Sequence, residues 1–210
     1  SMAFLFAIIW IVFVTNAMNW LDGSPGIVSG TSAIAALTIY FLSSAKNLHV
    51  IDQSTLAGIS LIIAGAAIAF LFFDFPKPRI LMGDSGTMFL GFLIAVMAIF
   101  SGAKFATVFI VLGIPLLDAI WTIGRRIIKS KSPFRGDFQH LHHDLLKAGL
   151  TEPQVNLLYF AVSLFFGITA LFLHSFGKLL AITILFAIML ILRIVLQKHF
   201  FSTPSSHPDP

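Results

Sequence analysis

Seven apolar stretches, near residues 3–15, 27–44, 54–73, 85–102, 105–124, 155–174 and 178–197, make up most of the chain, and none alternates with the two-residue period of a strand. Most approach the ~20 residues a helix needs to cross ~30 Å of hydrocarbon. Lipid offers no partner to an unpaired backbone group, so only helices or a closed barrel can span it, and the missing alternation leaves the helices. The expected fold is therefore all-α: a polytopic transmembrane bundle of about seven spans over residues 1–201, followed by a disordered tail at 202–210. Composition agrees, because only 10% of residues are charged, against about a quarter in a soluble domain. The absence of Cys excludes disulfides and thiolate metal sites.

If each stretch crosses once, the segments 16–26, 74–84 and 125–154 and the C-terminus share one side. That side and its helix ends hold ten of the basic residues: Lys77, Arg79, Arg125, Arg126, Lys129, Lys131, Arg135, Lys147, Arg193 and Lys198. The opposite side holds three, Lys46, Lys104 and Lys178. This asymmetry places the first side in the cytoplasm of a plasma membrane, with 125–154 as a cytoplasmic loop. The net charge of +4 thus reads as topology and as attraction for an anionic substrate, not as nucleic-acid binding.

Three polar islands interrupt the apolar pattern, and all three fall on the cytoplasmic side. In the first, Asn16, Asn19 and Asp22 recur every three residues and form one stripe if the helix continues. Gly23, Pro25 and Gly26 then break the helix, and the next span offers its N-terminus to a phosphate. A capped turn between helices would use the same residues. In the second, Met82-Gly-Asp84-Ser-Gly86, Asp84 stands before a span where it can cap the helix. Paired with Asp22, it instead supplies the hard oxygen ligands that Mg2+ takes, with Mn2+ as the alternative ion, and the pair favours a metal site. In the third, His140, His142 and His143 accompany Arg135, Asp137 and a run of leucines at 141, 145, 146 and 150. Without cysteines a structural zinc site is disfavoured. Hydrogen bonding to a diphosphate suits histidines beside basic residues, with the leucines holding the segment at the membrane interface. A solvated charged loop is the plainer reading.

Asp118 lies inside the fifth stretch, and an ionisable residue there is a functional or ion-paired site. Arg125, seven residues on, would share its face and could pair with it.

Taken in order, Asn16-Ala-Met-Asn-Trp-Leu-Asp22-Gly23, Met82-Gly-Asp84-Ser-Gly86, Pro115-Leu-Leu-Asp118, Arg125-Arg126, Ser132-Pro133-Phe134, His140-Leu-His142-His143 and Gly149-Leu150 resemble the polyprenyl-phosphate N-acetylhexosamine-1-phosphate transferases across nearly the whole chain. The resemblance is stronger to the branch that initiates teichoic-acid and O-antigen precursors than to the peptidoglycan branch. It implies transfer of a sugar phosphate from a UDP-N-acetylhexosamine to a polyprenyl phosphate with release of UMP, at the start of cell-envelope glycan synthesis. It further implies Asp84 as the Mg2+ ligand, and Asp22, His140, His142 and His143 as catalytic residues. Asn16, Asn19, Gly23, Arg135 and Asp118 would bind substrate. A homodimer is left open.

The pattern departs from the family at Pro25, where relatives carry a second Asp, at Asp74, where they carry Asn, and at Leu81, often Phe; these positions help relatives hold the uracil. Relatives also carry an Asp-Asp motif on an earlier loop, and no such pair occurs here. The chain is accordingly expected to be the C-terminal portion of a transferase, inactive alone. Two rivals are a relative that keeps the diphosphate cradle without catalysis, and a transporter. The clustering of polar groups at one face, away from the midplane, argues against the transporter.

Overall fold

The computed structural model describes residues 2–45, 53–101, 105–128, 130 and 140–201. These residues form helices α1 (Met2–Asn19), α2 (Ile27–Ser44), α3 (Ser54–Asp74), α4 (Gly83–Phe100), α5 (Phe105–Val111), α6 (Gly113–Ile128), α7 (Leu141–Lys147), α8 (Glu152–Phe172) and α9 (Ser175–Phe201). Six are long and apolar enough to cross a membrane, namely α1, α2, α3, α4, α8 and α9. The protein is an all-helical, multi-pass membrane protein.

The central element is α2, where 72% of the span is buried, against 22% for α1 and 28% for α9. Its residues explain the position. Ser29, Gly30, Ser32, Ala33, Ala35 and Ala36 are all buried, and small side chains let neighbouring helices approach where lipid tails give no hydrophobic drive for association. Around it, α1 packs on α4 and α3 on α2, while Ile62, Phe72, Phe165 and Phe172 turn outward, each more than half exposed, as lipid-facing residues do. The α1–α4 contact is close because Gly91 has no side chain: a Cβ there would meet the Thr15 Cα at 3.0 Å and the Met18 Cβ at 3.1 Å. Trp10 fixes the same pair higher up, donating from Nε1 to the Ala95 carbonyl at 3.1 Å.

The straight fifth span expected over 105–124 is two helices, α5 and α6, meeting at 89°. Pro115 has no N–H to return to the Val111 carbonyl, and its ring crowds that turn, so the ladder opens where Gly113, Ile114 and Pro115 follow each other. Lys178 holds α5 against α9 by donating to the Thr107 hydroxyl at 2.8 Å.

The third island is also more ordered than a charged loop. His140 sits at the N-cap of α7, and the leucines hold the segment to the protein interior instead of to the membrane interface. Leu141 is 0% and Leu145 4% exposed, both within the main hydrophobic core. The turn into α8 follows from Gly149: at φ +97° it adopts the left-handed conformation that glycine tolerates best, so Leu150 N–H reaches the Leu145 carbonyl at 3.2 Å and Gly149 N–H the Leu146 carbonyl at 3.0 Å. Gln154 then accepts from the Thr151 N–H at 2.9 Å and starts α8.

Candidate functional site

The helix of the first island runs to Asn19, so the stripe continues as expected, but its members diverge in role. Asn19 donates from Nδ2 to Asp84 Oδ1 at 3.0 Å and to the Thr87 hydroxyl at 3.1 Å, joining the end of α1 to the start of α4. Asn16 donates from Nδ2 to the Val12 carbonyl of its own helix at 2.7 Å. Asp84, in the first turn of α4, is exposed and accepts from Asn19 through Oδ1 alone.

The α1–α2 turn that carries Asp22 and Gly23 is tied down from two sides. Asp74, 4% exposed at the end of α3, accepts from the Gly26 N–H at 2.8 Å and the Ser29 hydroxyl at 2.9 Å. That is a carboxylate at a helix N-terminus, where the dipole favours it. Gly26 has φ +89°, and a Cβ there would stand 2.9 Å from Asn156 Nδ2 and from Phe75 Cβ, so both its conformation and the space require glycine. Asn156, on α8 and 1% exposed, accepts from the Ser24 hydroxyl at 3.2 Å and donates to the Pro25 carbonyl.

Held this way, the turn lies against α7. A Cβ at Gly23 would stand 3.0 Å from His142 Nε2 and 3.4 Å from the His143 ring. The rings of His142 and His143 are 4.0 Å apart, and those of His140 and His142 are stacked at 5.9 Å. All three islands therefore converge at one end of the bundle.

Asp118 lies beneath this surface. It is 1% exposed, and its oxygens are occupied: Oδ2 by His140 Nδ1 at 2.9 Å, Oδ1 by the Leu141 N–H at 3.1 Å and by Arg193. The alternative reading pairs Asp118 with Arg125; among the described residues its guanidinium partner is Arg193 of α9, which also binds Asp144 of α7. With a guanidinium and an amide donating to it, Asp118 is an ionised acceptor, so His140 carries its proton on Nδ1 and presents Nε2 elsewhere. Arg135 and Asp137 lie outside the described residues.

The electrostatics divide the site in two. On the turn, burial raises the Asp22 carboxyl above its ordinary range, and the nearby charges of Asp84 and Asp74 raise it further. Three carboxylates thus act on one another at this end of the bundle. On α7, burial and then the neighbouring His143 push His142 down to about 3, while burial followed by His140 and Lys147 lowers His143. Both rings are thus neutral at pH 7. His142 is fully buried, and among the described residues neither of its nitrogens has a hydrogen-bond partner, an arrangement that costs free energy unless a ligand supplies one. Among the described residues no three His, Asp or Glu side chains converge on one point as a metal cage does. Mg2+ does not need one: it binds through one or two carboxylates and completes its shell with water and substrate phosphate oxygens. Asp84 and Asp22 fit that pattern.

The chain is thus a multi-pass membrane protein with acids and histidines gathered at one end of its bundle. Comparison with known proteins gives this class its family. Residues 1–102 match the pattern of Glycosyl transferase family 4. The chain is similar to the probable undecaprenyl-phosphate N-acetylglucosaminyl 1-phosphate transferase of Bacillus subtilis (strain 168), 32% identical over 202 residues, or 93% of this chain and 55% of that protein. It is 34% identical over 172 residues to the decaprenyl-phosphate N-acetylglucosaminephosphotransferase of Mycobacterium leprae (strain TN), covering 71% of this chain and 42% of the relative. A Thermotoga maritima protein, undecaprenyl-phosphate alpha-N-acetylglucosaminyl 1-phosphate transferase, is 27% identical over 92% of this chain and 60% of its own length. The chain belongs to glycosyl transferase family 4. It spans about half the length of the curated relatives it matches.

Proposed function

We propose that the protein to which this chain belongs transfers N-acetylhexosamine 1-phosphate from a UDP-sugar to a polyprenyl phosphate, on the cytoplasmic side of the bacterial plasma membrane. The observation that carries this reading is the meeting of Asp22, the Asn19–Asp84 pair and the His142–His143 pair, from sequence-distant segments, at one end of the bundle. The relatives' names supply the substrates: a polyprenyl phosphate and an N-acetylglucosamine phosphate donor.

In the net reaction an oxygen of the lipid phosphate becomes bonded to the β-phosphorus of the UDP-sugar. The bond from that phosphorus to the bridging oxygen breaks, and UMP leaves with the oxygen. Asp84 and Asp22 would hold Mg2+, which when bound neutralises phosphate charge and aligns the two ends of the displacement. Asn19 fixes the Asp84 carboxylate from the side. His142 and His143, neutral and pressed against Gly23, would donate ring N–H groups to the diphosphate oxygens. The approach of that anion raises the proton affinity of both rings and strengthens the bonds.

The test is radiolabelled transfer from UDP-N-acetylglucosamine to undecaprenyl phosphate in detergent, using the full-length product of the gene. Asp84→Asn should abolish Mg2+-dependent release of UMP while leaving insertion intact, because it removes ligand charge at nearly constant shape. Wild-type turnover by that variant, or no Mg2+-dependent product from the folded full-length protein, would overturn the proposal.

A further inference from the structure

Arg193 lies within the apolar span of α9, and its side chain is 3% exposed. A cation so placed must be paired. Its two partners lie on different elements: NH2 meets Asp118 of α6, and NH1 meets Asp144 of α7. Asp118 in turn takes the ring of His140 and the first backbone N–H of α7. One guanidinium therefore secures α7 at both ends of its first turn, through Asp118 at the entry and directly through Asp144.

We propose that Arg193 is the positioning residue of the histidine segment: α9 holds α7, and with it His142 and His143, against the Asp22–Gly23 turn. The role of the histidines in transfer rests on the function proposed above; the holding of α7 does not. The planar fork presents separate N–H groups to the two carboxylates, a geometry a lysine ammonium does not reproduce. Removing it leaves Asp118 and Asp144 as two partly or fully buried negative charges that repel each other, and the short α7 is the element free to separate them.

The experiment uses the lack of cysteine in residues 1–210, with any cysteine elsewhere in the full-length protein replaced by serine. Leu145 is 4% exposed on α7, so maleimide labelling of Leu145→Cys in membranes reports release of the segment. In an Arg193→Gln background the labelling rate should rise about tenfold or more, the scale expected for an uncompensated buried charge, at unchanged helical circular dichroism. Arg193→Lys should recover part of the protection. In protein labelled with 15N-histidine, the hydrogen-bonded Nδ1 proton of His140 should be present in the wild type and lost in Arg193→Gln. In the transfer assay, turnover at saturating donor should fall with Arg193→Gln and recover partly with Arg193→Lys.

An unchanged labelling rate together with an unchanged His140 signal overturns the proposal. If α7 is released by Arg193→Gln but the wild-type protein transfers no sugar phosphate, the function fails and the positioning role stands. Should Arg193→Gln fail to insert, Arg193→Lys decides: faster labelling than the wild type supports the proposal, and equal labelling contradicts it.

Discussion

His142 is the residue whose environment differs most from that of an ordinary surface side chain. It is fully buried, both ring nitrogens lack a partner among the described residues, and its pKa is pushed down to about 3. In the unfolded chain it returns to about 6.5, so below that value the unfolded state binds the proton and the folded state does not. Stability is then unaffected above about pH 6.5 and falls as pH drops toward 3, by about 2 kcal/mol between pH 6.5 and 5. Melting of the detergent-solubilised protein should show this slope, and His142→Phe should flatten it; equal slopes in the two proteins would contradict the assignment. His142, Asp22 and Asp84 were legible in the sequence because polar residues stand out against an apolar background. Arg193 and Asn156 were not singled out because each lies inside an apolar run, although the argument that flagged Asp118 as an intramembrane ion applies equally to Arg193. Asp74 was noted only as a departure from relatives. Its bonds to Gly26 and Ser29 bring together residues some 45 positions apart, a pairing no local pattern encodes.

The packing of elements decides whether these side chains can meet. Asn19 reaches Asp84 because α1 and α4 lie almost backbone to backbone at Gly91. Gly91→Leu should force them apart, destabilise the protein by about 1–3 kcal/mol as overpacking does, and impair Mg2+-dependent transfer while the His142 face stays intact. Thermal unfolding checks the first effect and the transfer assay the second; a variant as stable and active as the wild type would show that the α1–α4 contact does not set the Asn19–Asp84 pair. Length and apolarity located the six long spans well, since a helix crossing lipid has few alternatives. The bend between α5 and α6 escaped because an averaged hydropathy reads both helices as one stretch, and the local sign, Gly113-Ile114-Pro115, is only three residues long. For α7 the run of leucines marks a segment with an apolar side. Whether that side meets lipid or protein depends on which neighbours are present, and α7 packs on α8 and α9.

At the scale of the molecule, the account is that three segments far apart in sequence build one polar site at a single end of a membrane bundle. The basic asymmetry put them on one face, and the closeness of Gly23 to His142 and His143 requires it. Cross-linking tests this most directly, because residues 1–210 hold no cysteine to interfere. Gly23→Cys and His143→Cys, introduced together into the membrane-inserted protein, should be joined by a short bis-maleimide, and mass spectrometry should recover the linked pair of peptides. The same reagent should not join Gly23→Cys to a cysteine at Lys178, on the opposite side. Efficient reaction of both cysteines singly, with no linked pair between positions 23 and 143, would contradict the shared site.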